Sequence, residues 1–334
     1  MKISFEISRN RKSKKRSFDA ADKGRRGKSF RNARSTGVNQ ETRGALETLR
    51  NRSRHMVRNN GWSKRAVEAI TRHTIGEGIQ PAPVGKLSET KEVKRIWRDW
   101  AATTACDWYG KSNFYGLQEL AMRSIVESGA VLIYKRWVMP DEACEIPIKL
   151  QILEADHPDH TRNGTNDMGF TRMGVQFNKD RVLIGYWIFD NHPGENDYFG
   201  EGMYESQFVP KSDIIHAFEI LRPGQVRGLP FGVASFMKSQ DFSDYEDAQL
   251  FKQKVAACYS VFVLGAENIN PNEDRERLEN LEPGIIEYLT TGEAVEFANP
   301  PSVGDYDPYS ARILQGIAAA YGITFEMLTM DYSK

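Results

Sequence analysis

Between residues 41 and 105 apolar side chains recur every three to four positions, the spacing that lines one face of a helix. Leu46, Leu49, Met56 and Val57 mark a first helix, which Asn59-Asn60-Gly61 stops. Ala66, Val67 and Ile70 mark a second, over 63–75, ended by Gly76. Pro81 and Pro83 read as a linker, and Ser88 is placed to cap a third helix whose stripe is Val93, Ile96, Trp97 and Trp100. A fourth, over about 117–127, is expected to bury Leu117, Leu120, Ala121 and Ile125, with Gly129 closing it.

The period then changes. Segments 130–138, 148–154, 171–177, 181–189 and 213–220 are short, rich in β-branched or aromatic residues, and bounded by Pro, Gly or Asn-Asp clusters. Their spacing predicts an antiparallel sheet, not alternating βαβ units, so the fold class is α+β. Ile220-Leu-Arg-Pro-Gly-Gln-Val-Arg-Gly-Leu-Pro-Phe-Gly232 follows as a loop, with Pro223-Gly224 as its turn dipeptide and Gly228 and Gly232 open to unusual backbone angles. Residues 233–261 hold neither Pro nor Gly, and as one helix would extend about 40 Å. Beyond them the pattern predicts a strand at 259–264, an acidic helix at 272–281, short strands at 285–289 and 294–297, and closing helices at 312–321 and from 325.

Charge redraws this picture at the front of the chain. The 334 residues sum to zero, yet residues 1–72 carry a balance of +15 and the remainder −15. Residues 1–38 are basic and nearly free of large apolar side chains, a composition that cannot offset its own ordering entropy, so a disordered basic tail is expected. Lys12, Lys14, Lys15 and Arg16, then Arg25, Arg26 and Lys28, form two clusters suited to nucleic-acid phosphates; a solubilising or removable tail is the equal alternative. No apolar run approaches the roughly 20 residues of a membrane span. Cys106, Cys144 and Cys258 stand far apart, in no metal-ligand spacing, and suggest a reducing cytoplasm.

Catalytic chemistry finds little support. No phosphate-binding glycine-lysine loop, nucleophile elbow or dinucleotide fingerprint occurs, so neither cofactor nor ATP hydrolysis is expected. Asp156-His-Pro-Asp-His160 is the dense cluster of metal-ligand types, but Pro158 interrupts it, and it reads as a solvated or cap-forming loop with no metal.

Several stretches, in order, resemble the lambda-type phage portal family. They are Met56-Val-Arg-Asn-Asn-Gly61, Ile75-Gly-Glu-Gly-Ile79, Trp97-Arg-Asp-Trp-Ala101 with Cys106-Asp107, Glu154-Ala-Asp156, Ile215-His-Ala-Phe218 and Arg222-Pro-Gly-Gln-Val-Arg-Gly-Leu-Pro230. Glu282-Pro-Gly-Ile-Ile-Glu-Tyr-Leu289 with Gly292-Glu293, and 317–328, complete the set. The resemblance implies a structural, non-enzymatic subunit of a ring, typically dodecameric, at the unique capsid vertex of a tailed phage. It implies double-stranded DNA in a central channel, with the terminase large subunit, head-completion proteins and capsid proteins as partners, and host cytoplasm during assembly. On this scheme 39–220 is a helical and β wing-like region, 221–265 a loop and stem-type helix, and 266–334 a C-terminal helical region truncated at Lys334, as in an interrupted prophage copy or a fragment of a longer chain. Arg222 and Arg227 become candidates for subunit contact or pairing with acidic side chains. A monomeric basic-tailed DNA-binding protein is the first competing reading, and a metal-dependent hydrolase built on His157 and His160 the second.

Overall fold

The computed structural model describes residues 25–30, 33–139, 145–195, 205–258, 262–264, 294–296 and 306–333. A 3-10 turn over Arg25–Phe30 precedes helices α1 (Val38–Asn59) and α2 (Gly61–Ile75). Asn60 joins these two helices: its amide bonds back to Met56, and its side chain accepts from Ser63 to cap the second. Helix α3 (Leu87–Ala101) begins with Lys86 at the cap, so Ser88 lies inside the first turn and does not cap it. Helix α4 (Phe114–Ser128) is capped by Asn113 and closed by Gly129 at a φ of 87°. Its buried side is Leu117, Ala121 and Val126, while Leu120 is 47% exposed, contrary to the apolar pattern.

The β region is two antiparallel sheets instead of one. Strands β1 (Ala130–Trp137) and β2 (Ile148–Glu154) form a hairpin, and β8 (Ile214–Phe218) adds to the free side of β1, in the order β2-β1-β8. The second sheet is the meander β3 (Gly164–Asn166), β4 (Gly169–Arg172), β5 (Val175–Phe177), β6 (Leu183–Ile188) and β7 (Gln207–Pro210). The single strand expected over 171–177 divides into β4 and β5 because Met173 and Gly174 both take positive φ, 49° and 78°, and make a tight hairpin turn. Strands β3 and β7 are too short and polar to announce themselves; pairing with their neighbours creates them.

Alternation along β1 assigns its two faces. Leu132 faces the second sheet and packs with Leu153, Met173, Val175, Tyr186, Ile188, Val209 and Ile214, joined by Leu46 of α1 and Val226. Val131 and Ile133 face α4. A helical core gathers Val57, Ala66, Val67 and Val126 with Phe242, Leu314, Ile317, Tyr321 and Leu328. Trp97, Trp100 and Phe114 form a third cluster with ring centroids 5.1–5.4 Å apart.

The loop before the long helix behaves differently from its expected glycine chemistry. Pro223-Gly224 is a turn with Gly224 at a φ of 78° and the Gln225 amide bonded to the Arg222 carbonyl at 3.2 Å. Gly228 and Gly232, however, are required for space and not for backbone angle. A Cβ at Gly228 would lie 1.9 Å from the Gly129 carbonyl oxygen, and one at Gly232 would meet the Tyr321 ring at 2.2 Å. Residues Phe231–Ser235 then form a 3-10 turn, and α5 runs over Phe236–Cys258, about 34 Å, starting three residues later than the pattern suggested. Phe236 and Phe242 anchor its first turns in buried surroundings, whereas Leu250 and Phe251 are 51% and 68% exposed.

Strands β9 (Phe262–Leu264) and β10 (Ala294–Glu296) pair antiparallel. The helix expected at 272–281 and the strand at 285–289 lie outside the described residues. Helix α6 (Tyr306–Tyr321) starts earlier than expected, and α7 (Phe325–Thr329) follows, capped by Thr324.

The backbone crossing at Gly129 and Gly228 sets a testable limit. Gly228→Ala should destabilise the fold by about 3 kcal/mol, because the obstructing atom is a carbonyl that cannot rotate away. Gly44→Ala, in an exposed turn of α1 with nothing within 4 Å, should instead stabilise by about 0.5–1 kcal/mol. Urea titration of both variants checks the contrast, and equal effects would refute it.

Candidate functional site at the 220–232 loop

The first half of the loop is fastened to the start of α1. Asn39 donates to the Gly224 carbonyl at 2.7 Å and accepts from the Val226 amide at 3.0 Å. Arg222 is exposed and forms an ion pair with Glu41 at 2.9 Å, while also donating to the Thr36 carbonyl at 3.0 Å. Gln225 braces the loop from within, accepting from the Leu221 amide and donating to the Arg227 carbonyl. Arg222 thus has an acidic partner, Glu41, within the same chain.

Arg227 is placed differently. Its side chain is 1% exposed and donates to three main-chain carbonyls: Ala155, Met173 at 3.0 Å and Pro158 at 3.3 Å. Subunit contact or pairing with an acidic side chain was the expectation for it; within the chain, the turns at 155–158 and 173–174 point their carbonyl oxygens at its guanidinium. Burial first, then the like charge of Arg50, lowers the Arg227 pKa to about 9, so the group remains charged at neutral pH.

Arg50 reaches the same point from α1. It is also 1% exposed, donates to the same Ala155 carbonyl, and pairs with Asp156 at 3.2 Å. One turn further along α1, Arg54 bridges Asp156 and Glu154, at 2.5 Å to each, and donates to Ser128 at 3.2 Å. Burial alone would raise the Asp156 carboxyl, but Arg50 and Arg54 outweigh it and hold the group below the usual carboxylate range. The sequence did carry a signal for this cluster: Arg50 falls on the buried stripe formed by Leu46, Ser53 and Val57. A charge on the inner face of an amphipathic helix demands a buried partner.

Of the solvated and cap-forming readings of the Asp156–His160 segment, burial disfavours the first, while Asp159 caps locally by accepting from the Thr161 amide. Asp156, His157 and Asp159 are each 8% exposed. Asp159 accepts from Thr161 and Ser206, and His157 bonds the Phe189 carbonyl through Nδ1 at 3.0 Å. Glu154, Asp156 and His192 do converge, with His192 at 3.8 Å from both carboxylates. The cation between those carboxylates is the Arg54 guanidinium, and a divalent ion there would also face Arg50.

Lys12, Lys14, Lys15 and Arg16 lie outside the described residues. Arg25, Arg26 and Lys28 share the 3-10 turn, where Arg25 and Lys28 are exposed. Among the described residues nothing joins this turn to the arginine junction.

The model for "Phage portal protein, lambda family" matches residues 23–334. The chain is 25% identical over 306 residues to the probable portal protein of Halomonas phage phiHAP-1, covering 85% of this chain and 58% of that one. It is 23% identical over 336 residues to portal protein B of Escherichia phage lambda, covering 85% and 60% respectively. The chain thus spans about 60% of the length of these relatives. In fold it is similar to a chain of the neck of a native GTA particle computed with C12 symmetry. The TM-score is 0.53 at 14% identity, over 85% of this chain and 70% of that one. A chain of the native gene transfer agent virion gives a TM-score of 0.52 at 15% identity, over 86% and 70%.

Two outcomes follow from the junction. Arg227→Leu should cost about 3–5 kcal/mol by stranding buried carbonyls, while Arg222→Ala should cost less than about 1 kcal/mol; comparable losses in denaturant titrations would contradict the assignment. The second concerns His216, whose Nε2 is buried without a partner among the described residues and whose ring packs on Tyr186 and Phe218. Burial and the Arg227 charge bring its pKa down to about 3, below the ordinary value near 6.5. The unfolded chain therefore takes up a proton first as pH falls, and stability drops through the window from 6.5 toward 3, by about 1 kcal/mol per pH unit. Thermal melts from pH 7.5 to 5 should show this decline, and His216→Phe should flatten it.

Proposed function

Since the chain belongs to the lambda family of phage portal proteins, we propose that it is the repeating subunit of a portal ring at the unique vertex of a tailed-phage head. The ring is a dodecamer around a channel for double-stranded DNA, and it carries the docking surfaces for the terminase large subunit, head-completion proteins and capsid proteins. The role is structural, with no catalytic step, and is performed at the virion vertex after assembly in the host cytoplasm. The observation that carries this reading is the family match, whose range, residues 23–334, includes both sheets and the long helix. The fold's likeness to a chain from a particle neck computed with C12 symmetry supports assembly into a ring.

Physical features of the subunit agree with it. Helix α5 is rooted in buried surroundings at Phe236 and Phe242, yet presents Met237, Leu250 and Phe251 to solvent. An isolated soluble domain gains nothing by exposing large apolar groups along a long helix, whereas copies arranged around an axis cover one another's helices. The basic front and acidic remainder suit a subunit that meets DNA without gripping it over its whole surface.

A basic-tailed monomer makes the opposite prediction about assembly. Native mass spectrometry and negative-stain microscopy should show closed rings of about twelve copies, and Leu250→Glu/Phe251→Glu should shift them toward monomers without lowering the melting temperature. Monomeric wild-type protein at micromolar concentration would sink the ring reading in favour of the monomer.

A further inference from the structure

Two clefts flank the arginine junction, and their charges differ. One, of about 590 Å³, sets Arg54, Arg58 and Arg123 against Glu127, Glu154, Asp190 and Glu195, so its cations are balanced within the protein. The other, of about 410 Å³, opens between the start of α1 and the β3–β4 hairpin. Arg43 from α1 and Arg172 from β4 line it, with Gln40, Thr165 and Phe170 around them, and no carboxylate is among its lining residues. Both arginines are exposed, and among the described residues neither forms an ion pair.

These cations sit on fixed elements. The Arg172 guanidinium lies 5.7 Å from the centroid of the Phe170 ring, which itself stacks on Phe177 at 5.0 Å. Arg43 lies in the part of α1 that Asn39 and Glu41 clamp to the 220–232 loop. The walls therefore bring two uncompensated guanidinium forks to one concavity, an arrangement that matches the oxygens of a phosphate group. The sequence leading in is of one sign: Lys23, Arg25, Arg26, Lys28, Arg31 and Arg34 precede the cleft, with no acidic residue from Lys23 to Gln40. Repeated cations suit a polyanion whose charges recur along its length better than they suit one small anion. The same stretch has Phe30 as its only large apolar residue, so it lacks the anchors that a protein partner would need.

We propose that this cleft binds phosphodiester groups of double-stranded DNA, as a fixed two-arginine continuation of the basic N-terminal segment. The proposal rests on the DNA-handling role argued above and adds a location for contact on the folded body. Fluorescence anisotropy with a duplex of about 30 base pairs, using the full chain between 50 and 200 mM salt, tests it. Arg43→Gln/Arg172→Gln should reduce the slope of log affinity against log salt by about 0.9 for each lost contact, with an unchanged melting temperature. A second variant, Lys12→Gln/Lys14→Gln/Lys15→Gln/Arg16→Gln, separates tail from cleft.

If the cleft variant keeps the wild-type slope while the tail variant loses it, the cleft proposal fails and the DNA role stands. Wild-type protein with no affinity for the duplex would overturn both. Inorganic pyrophosphate supplies the last arm. If it raises the melting temperature of wild type but not of the cleft variant, and the DNA slope is unmoved, the occupant is a small phosphate and the proposal falls.

Discussion

The carbonyl oxygen of Ala155 accepts from two buried guanidinium groups, Arg50 of α1 and Arg227 of the loop before α5. Much of the architecture depends on that convergence. Arg227 also bonds the carbonyls of Pro158 and Met173, so a single side chain joins the exit of β2, the β4–β5 turn and the base of the long helix. Two buried cations face one fully engaged carboxylate, Asp156, and the remaining compensation comes from oriented peptide dipoles. Such a junction adds little net stability against an apolar replacement of the same shape, since desolvating the charges costs much of what their bonds return. Its value is geometric: a guanidinium with three acceptors from separate turns tolerates few alternative arrangements.

That rigidity has a consequence for the long helix. Close approach of Gly228 to Gly129, and of Gly232 to Tyr321, seats the loop against α4, β1 and α6. The first turns of α5 are therefore held by a backbone that cannot shift without collision. Further along, the helix carries exposed Leu250 and Phe251. A portal subunit of the kind proposed combines these properties: a stiff base within each copy, and apolar positions left for neighbouring copies to cover.

Much of the fold was legible because local chemistry specifies it. Asn60 between two helices, Gly129 after α4, Pro223-Gly224 in a turn and the β1–β2 pair all follow from side-chain spacing and from which residues accept special backbone angles. The misses share a different cause. The division of 171–177 into two strands requires Met173, an unbranched residue, to adopt a positive φ, which tertiary bonds from Asn163 and Arg227 support. Leu120 faces solvent although its spacing fits the stripe, because the sheet packs against a different arc of α4. Arg50 lies on the buried side of α1 beside Leu46, Ser53 and Val57, a signal that reading the apolar positions alone passes over.

By itself, then, the sequence determined the order of elements, the turn chemistry, the split of charge between front and body, and the family, since ordered motifs survive where overall identity is low. Tertiary structure alone decided which partners the interior polar groups meet. Arg50 meets Ala155 across 105 positions, and Arg227 meets Ala155 and Pro158 across 72 and 69. A carbonyl carries no residue-type signal, because every residue has one. An arginine bound to carbonyls therefore looks, in sequence, like an arginine in need of an acid, and only the folded chain shows which oxygens it found.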